Sequence, residues 1–225
     1  MTRLKNPIVS VLHDGGATYG GSQRLFENDT MRRAGCGVVA AADLLLYLAL
    51  YHSCPTALTG KPESNEISLE NYIRLCEKLR RRYLPVIPRF GKTGIDLALG
   101  LNAIFSHYRL PYKARWCAGH EKLFDRAEAM LKADIPVIIS VGQNFPLAWG
   151  KEYLNLYTRR GDESFVRTSG VKAHYMTLTG MDELWLRLSS WGREYYIRRS
   201  EYLSYSRLHS LSLTCNILLV EKLHS

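Results

Sequence analysis

From Val38 to Tyr51 the chain reads Val-Val-Ala-Ala-Ala-Asp-Leu-Leu-Leu-Tyr-Leu-Ala-Leu-Tyr, apolar nearly all round a helix with Asp43 as its lone charge. Alanine and leucine favour helix over strand. A helix without a polar face has no side to offer solvent, so the rest of the fold has to be wrapped around it. The segment is too short to cross a bilayer, and no longer apolar run occurs elsewhere. A chain of 225 residues, 46% hydrophobic and 23% charged, buries such a core without disulfide staples. The N-terminus Met1-Thr-Arg-Leu-Lys-Asn-Pro carries no apolar stretch of signal-peptide length, so a cytoplasmic location is expected.

The remaining pattern changes along the chain. Helices are predicted over Leu69–Arg82 with Ser68 as N-cap, over about 94–108 and over about 120–132. After Pro136 come β-branched or alternating runs at 137–141, 174–180, 184–189, 194–198 and 214–221, which read as strands. Residues 13–22 form a glycine-dense loop, 53–66 a polar loop, and 142–170 a polar stretch with linker character. Helices followed by strands indicate an α+β fold. We expect a single domain over 1–225, with a helical lobe over about 1–134 and a β lobe over about 135–225.

Five cysteines (36, 54, 76, 117 and 215) stand apart, with no CxxC and no Cys/His spacing of a zinc site, so no metal or cofactor is expected. Four of them read as small buried hydrophobes. Cys36 differs, because Gly35-Cys36-Gly37 opens the buried helix. There the positive end of the helix dipole stabilises a thiolate and lowers the thiol pKa, while the glycines permit a tight turn and a close approach. His174 opens the strand His-Tyr-Met-Thr-Leu-Thr-Gly, and an imidazole beside a thiolate supplies the base and acid of nucleophilic catalysis. The other histidines (13, 52, 107, 120, 209 and 224) lie in loops, on helices or at the terminus.

A third block, Ser189-Ser190-Trp191-Gly192, follows the next strand. The set Thr30-Met-Arg-Arg-Ala-Gly-Cys36-Gly37, Ile135-Pro-Val-Ile-Ile139, His174 through Thr179-Gly-Met-Asp182, and Ser189-Ser-Trp-Gly192 resembles the papain-like cysteine peptidases. The likeness is closest to the C39-like branch and covers roughly residues 15–200. It implies the papain-like fold: a helical N-terminal half around the central helix and an antiparallel sheet in the C-terminal half. It also implies a cysteine peptidase or amide hydrolase acting on a peptide or protein substrate, with Cys36 as nucleophile and His174 as base and acid. Ser189 stands where relatives carry the Asn or Asp that orients the histidine. A serine accepts a hydrogen bond there without charge, which makes the triad weaker or in effect a dyad. Relatives complete the oxyanion hole with a side-chain amide, often a Gln six positions before the nucleophile. That slot is Thr30 here, and Asn28 and Gln23 are the nearby amides. The same plan with its activity lost, a peptide-binding domain, is the alternative.

Lys and Arg number 30 against 21 Asp and Glu, a formal charge of +9. The cations sit in short clusters at 32–33, 78–82, 159–160 and 198–199, which read as solvated surface. A nucleic acid or an anionic surface stays open as a partner, as does an acidic peptide, since such a charge sets up a long-range field.

Overall fold

The computed structural model describes residues 1–52, 58–59, 64–142, 152–161 and 164–223. Cys54, His224 and parts of the polar stretches 53–66 and 142–170 lie outside those residues. In chain order the elements are β1 (Thr2–Arg3), β2 (Ser10–His13), β3 (Gly16–Ala17), α1 (Asp29–Ala34), α2 (Cys36–Tyr51), β4 (Glu66–Ser68), α3 (Leu69–Arg82), α4 (Gly94–His107), β5 (Tyr112–Trp116), α5 (Leu123–Lys132), β6 (Val137–Val141), β7 (Leu154–Arg160), β8 (Ser164–Val171), β9 (His174–Met181), β10 (Trp185–Ser190), β11 (Arg193–Arg198), α6 (Arg199–His209) and β12 (Ile217–Lys222).

The apolar segment is α2, and Gly37 through Ala49 are all buried, Asp43 included. It packs against β9 and β6 on one side and α3 and α4 on others. One contiguous apolar core draws on α2 (Val38, Leu44, Leu48), α4 (Leu97, Leu101), α5 (Ala127, Leu131) and the sheet (Ile139, Leu178, Ile217). At about 25 cal/mol per Å² of apolar surface, burial on this scale is the main force holding the molecule together. Ser68 Oγ accepts the Asn71 N–H at the start of α3, as expected, and the structure adds a capping box of Thr93 and Asp96 at the start of α4.

The large sheet has nine strands in the order β5-β12-β6-β9-β10-β11-β7-β8, with β1 pairing the far end of β9. Every pairing in it is antiparallel. A second sheet, β3-β2-β4, is small. The described residues are therefore mixed α and β, with six α-helices and a large antiparallel sheet.

Helices and strands are less cleanly divided than expected. β5 lies within the helical half yet forms an edge of the large sheet, next to β12 from the chain's end. α6 interrupts the strands of the second half. The polar stretch 142–170 contains the hairpin β7–β8, in which only Leu154, Leu156 and Val171 are buried. β8 buries only Val171, so its run Ser-Phe-Val-Arg-Thr-Ser-Gly-Val carries no clear hydrophobic alternation and its composition reads as loop. α5 starts at Leu123 rather than near 120, and the last strand at Ile217 rather than 214.

Candidate functional site

The site begins at a junction between helices. The Gly35 N–H caps α1 by donating to Met31 O, while its carbonyl accepts from Val39 N–H and so starts α2. A Cβ at Gly35 would lie 2.4 Å from Met31 O, so no other residue fits between the two helices. Gly37 faces β9, where a Cβ would come 3.4 Å from the Tyr175 ring. Gly37 thus lets the first turn of α2 lie against the start of β9, where Cys36 and His174 line one recess.

The backbone N–H groups of Tyr175, the residue after His174, of Gly37 and of Cys36 act to lower the Cys36 thiol pKa. These favour a thiolate, but burial outweighs them and the thiol pKa is raised rather than lowered. The expected depression at the helix start is therefore not the net result. His174 is also buried, which pushes its pKa down to about 3, and the positive charge of Arg24 adds in the same direction. At rest the pair is a neutral thiol and a neutral imidazole.

Trp191 stacks on the His174 ring at 4.5 Å and 23°, as a shield against water. Arg24 lies over the other side of the site, 4.7 Å from the Trp191 ring centroid. Trp191 and Gly192 join β10 to β11 with φ of 50° and 73°. A two-residue hairpin turn of this kind needs positive φ at both positions, which disfavours a tryptophan by about 1 kcal/mol or more. The stacking on His174 is what the ring gains in that conformation.

Ser189 does not meet the histidine. Its hydroxyl donates to Tyr19 O at 2.7 Å, and it is Ser190 Oγ that lies 2.7 Å from His174 Nε2. The cause is strand alternation. Ser189 stands opposite Thr177 in the β9–β10 ladder, so Ser190 falls on the side of the strand that carries His174. A motif aligned by residue spacing alone lands one position early.

Of the three oxyanion-hole candidates, Gln23 lies beside Cys36. It lines a recess of about 10 Å³ together with Cys36, Asp43, His174 and Ser190. Its Nε2 donates to Arg32 O at 2.9 Å, which fixes the carboxamide and leaves a second N–H on the same nitrogen. Asn28 is occupied elsewhere, its Oδ1 accepting Met31 N–H as the cap of α1. Thr30 sits in the first turn of α1 and lines neither the recess nor the larger cavity. Asp182 turns away from the ring, accepting the N–H groups of Leu184 and Trp185 in the β9–β10 connection.

Asp43 was legible only as an oddity in an apolar helix. It stands seven residues after Cys36, hence on the same helix face, and is buried at the floor of the recess. Tyr72 OH and the Gly21 N–H donate to it, yet burial dominates and pushes its pKa up to about 7. Gly20 wedges against it with φ of 73°: a Cβ there would lie 2.9 Å from Asp43 Oδ2 and 2.2 Å from Ser189 Oγ.

Outward from the recess, Cys36 and His174 also line a cavity of about 510 Å³, a volume suited to a small molecule or a few peptide residues. Cys36, Cys76, Cys117 and Cys215 are all free thiols. Among the described residues no group of three His, Cys, Asp or Glu side chains is placed to hold a metal, and no helix is long and apolar enough to cross a membrane. Comparison with family models, curated proteins and solved structures finds nothing that matches this chain.

Proposed function

We propose that the protein is a cysteine peptidase or amide hydrolase of the papain-like plan, closest to the C39-like branch, with Cys36 and His174 as its reacting pair. The observation that carries this reading is the common cavity. A thiol at the first turn of a buried helix and an imidazole at the start of a strand both line it, and the Tyr175 N–H beside His174 favours the thiolate. The four sequence blocks that resemble those peptidases add independent support.

Ser190 engages His174 Nε2, so Nδ1 is the nitrogen available to Cys36. In the reaction the thiol proton passes to Nδ1 as sulfur bonds to the substrate carbonyl carbon, and the carbonyl electron pair moves onto oxygen. That oxyanion is met by the Cys36 N–H and the second Nε2–H of Gln23. Collapse breaks the C–N bond, the leaving nitrogen takes the proton from His174, and a thioester remains. Water then gives a proton to His174 and attacks the thioester, and Cys36 leaves with its proton restored. Ser190, lacking charge, orients the imidazole without stabilising imidazolium.

The neutral resting pair favours a second reading, a peptide-binding domain of the same plan without turnover. Holding His174 ionised at neutral pH costs about 5 kcal/mol by its pKa alone, which substrate binding would have to offset. Exposure to p-nitrophenyl acetate separates the two. The hydrolase transfers one acetyl group to Cys36, mapped by peptide mass, and Cys36→Ala protein with an unchanged circular dichroism spectrum takes none. Labelling that persists in that variant refutes the nucleophile assignment, and an unlabelled Cys36 in the native protein leaves the binding domain.

A further inference from the structure

The walls of the 510 Å³ cavity are charged in one sense only. Arg33, Arg89 and Lys92 line it, with no Asp or Glu among the described lining residues. Arg33 is already matched, since Asp29 pairs with it at 3.0 Å. Lys92 gives one N–H to Pro85 O at 3.1 Å and keeps two, and its nearest acid, Asp96, is engaged in the capping box of α4. Arg89 forms no ion pair within the described residues.

Arg89 is also held where it is by construction. The turn 87–91 is closed by Gly91 N–H to Ile87 O at 2.8 Å and Ile87 N–H to Gly91 O at 3.1 Å. Within it Arg89 takes a φ of 70°, a left-handed conformation uncommon for arginine. The turn is braced on residues that lie close in sequence to both reacting residues. A Cβ on Gly91 would lie 3.3 Å from Ala34 O, two residues before Cys36, and Lys92 O accepts from Tyr175 OH, one residue after His174. Phe90, 75% exposed, and Ile95, 50% exposed, line the cavity together with the exposed Leu211 and Leu213. Large apolar side chains left in water beside a cavity mark a contact surface.

We propose that this cavity takes a peptide segment in which a carboxylate stands next to an apolar side chain, with Arg89 and Lys92 meeting the charge and Phe90, Ile95 and Leu213 the apolar group. The proposal rests on the hydrolase reading for its position beside Cys36, but it concerns binding alone. It also gives the chain's positive charge a local use, which the scattered surface clusters do not.

The test is a randomised heptapeptide pool passed over immobilised Cys36→Ala protein, with the retained peptides sequenced by mass. Asp and Glu are expected to be enriched about two- to fivefold within two positions of an aromatic or aliphatic residue, the range of a partly exposed ion pair. Adding Arg89→Gln and Lys92→Gln removes the acidic enrichment, whereas adding Arg160→Gln, a charge on the distant strand β7, preserves it. Equal retention of acidic and neutral peptides, enrichment that survives the double substitution, or no retention at all overturns the proposal. Acetylation of Cys36 in the native protein is measured separately, so loss of the hydrolase reading is distinguishable from loss of this one.

Discussion

Between about pH 4 and 6.5 the two buried titratable groups of the site pull stability in opposite directions. His174 has its pKa pushed down from 6.5 to about 3. As pH falls through 6.5 the unfolded chain gains a proton that the folded one refuses until about 3, so stability is lost, in all about 5 kcal/mol. Asp43 has its pKa pushed up from 3.8 to about 7. Its stabilising contribution is complete below 3.8 and is lost as pH rises to about 7, in all about 4 kcal/mol. Within the shared window each group changes stability by about 1.4 kcal/mol per pH unit, with opposite sign, and the native protein feels almost nothing. Substituting either one uncovers the other. Asp43→Asn should gain about 1.4 kcal/mol relative to the native protein for each unit that pH rises, and His174→Gln should lose as much. Urea unfolding at about pH 4.5 and about pH 6, with each variant compared with the native protein, cancels the exposed carboxylates common to all three. Three parallel stability curves would refute the assignment of a neutral imidazole and a protonated carboxyl to this recess.

Three further substitutions address the residues around the pair. Ser190→Ala leaves His174 Nε2 buried and unpartnered, which should cost about 1–3 kcal/mol in unfolding experiments and slow Cys36 acylation about tenfold or more. Ser189→Ala removes only the bond to Tyr19 O, so it should lower stability by about 1 kcal/mol and leave the acylation rate within about twofold. Gln23→Ala should reduce the acylation rate by about 100- to 1,000-fold, read from p-nitrophenol release, because it removes a donor from the oxyanion.

The features legible in the sequence are those that depend on local pattern. The apolar run of α2, the cap at Ser68 and the strand β9 each follow from chemistry within a few residues, and each lies near where it was expected. The choice between Ser189 and Ser190 depended instead on strand register, which is fixed by pairing with β9 and not by the block Ser-Ser-Trp-Gly itself. Gln23 among the three oxyanion-hole candidates, and Asp43 as a neighbour of Cys36, were decided by which elements pack around α2. The sign of the Cys36 shift was missed for a related reason. A helix start is visible in sequence, but the enclosure that overrides its dipole is made by β9 and by Trp191, far along the chain.

The central claim, that His174 takes the proton of Cys36 as sulfur attacks, is tested most directly by the rate of Cys36 acetylation in native and His174→Gln protein at equal pH. The account predicts a fall of about 100- to 10,000-fold in the variant, the range expected when a positioned base is removed. Equal rates in the two proteins would contradict it.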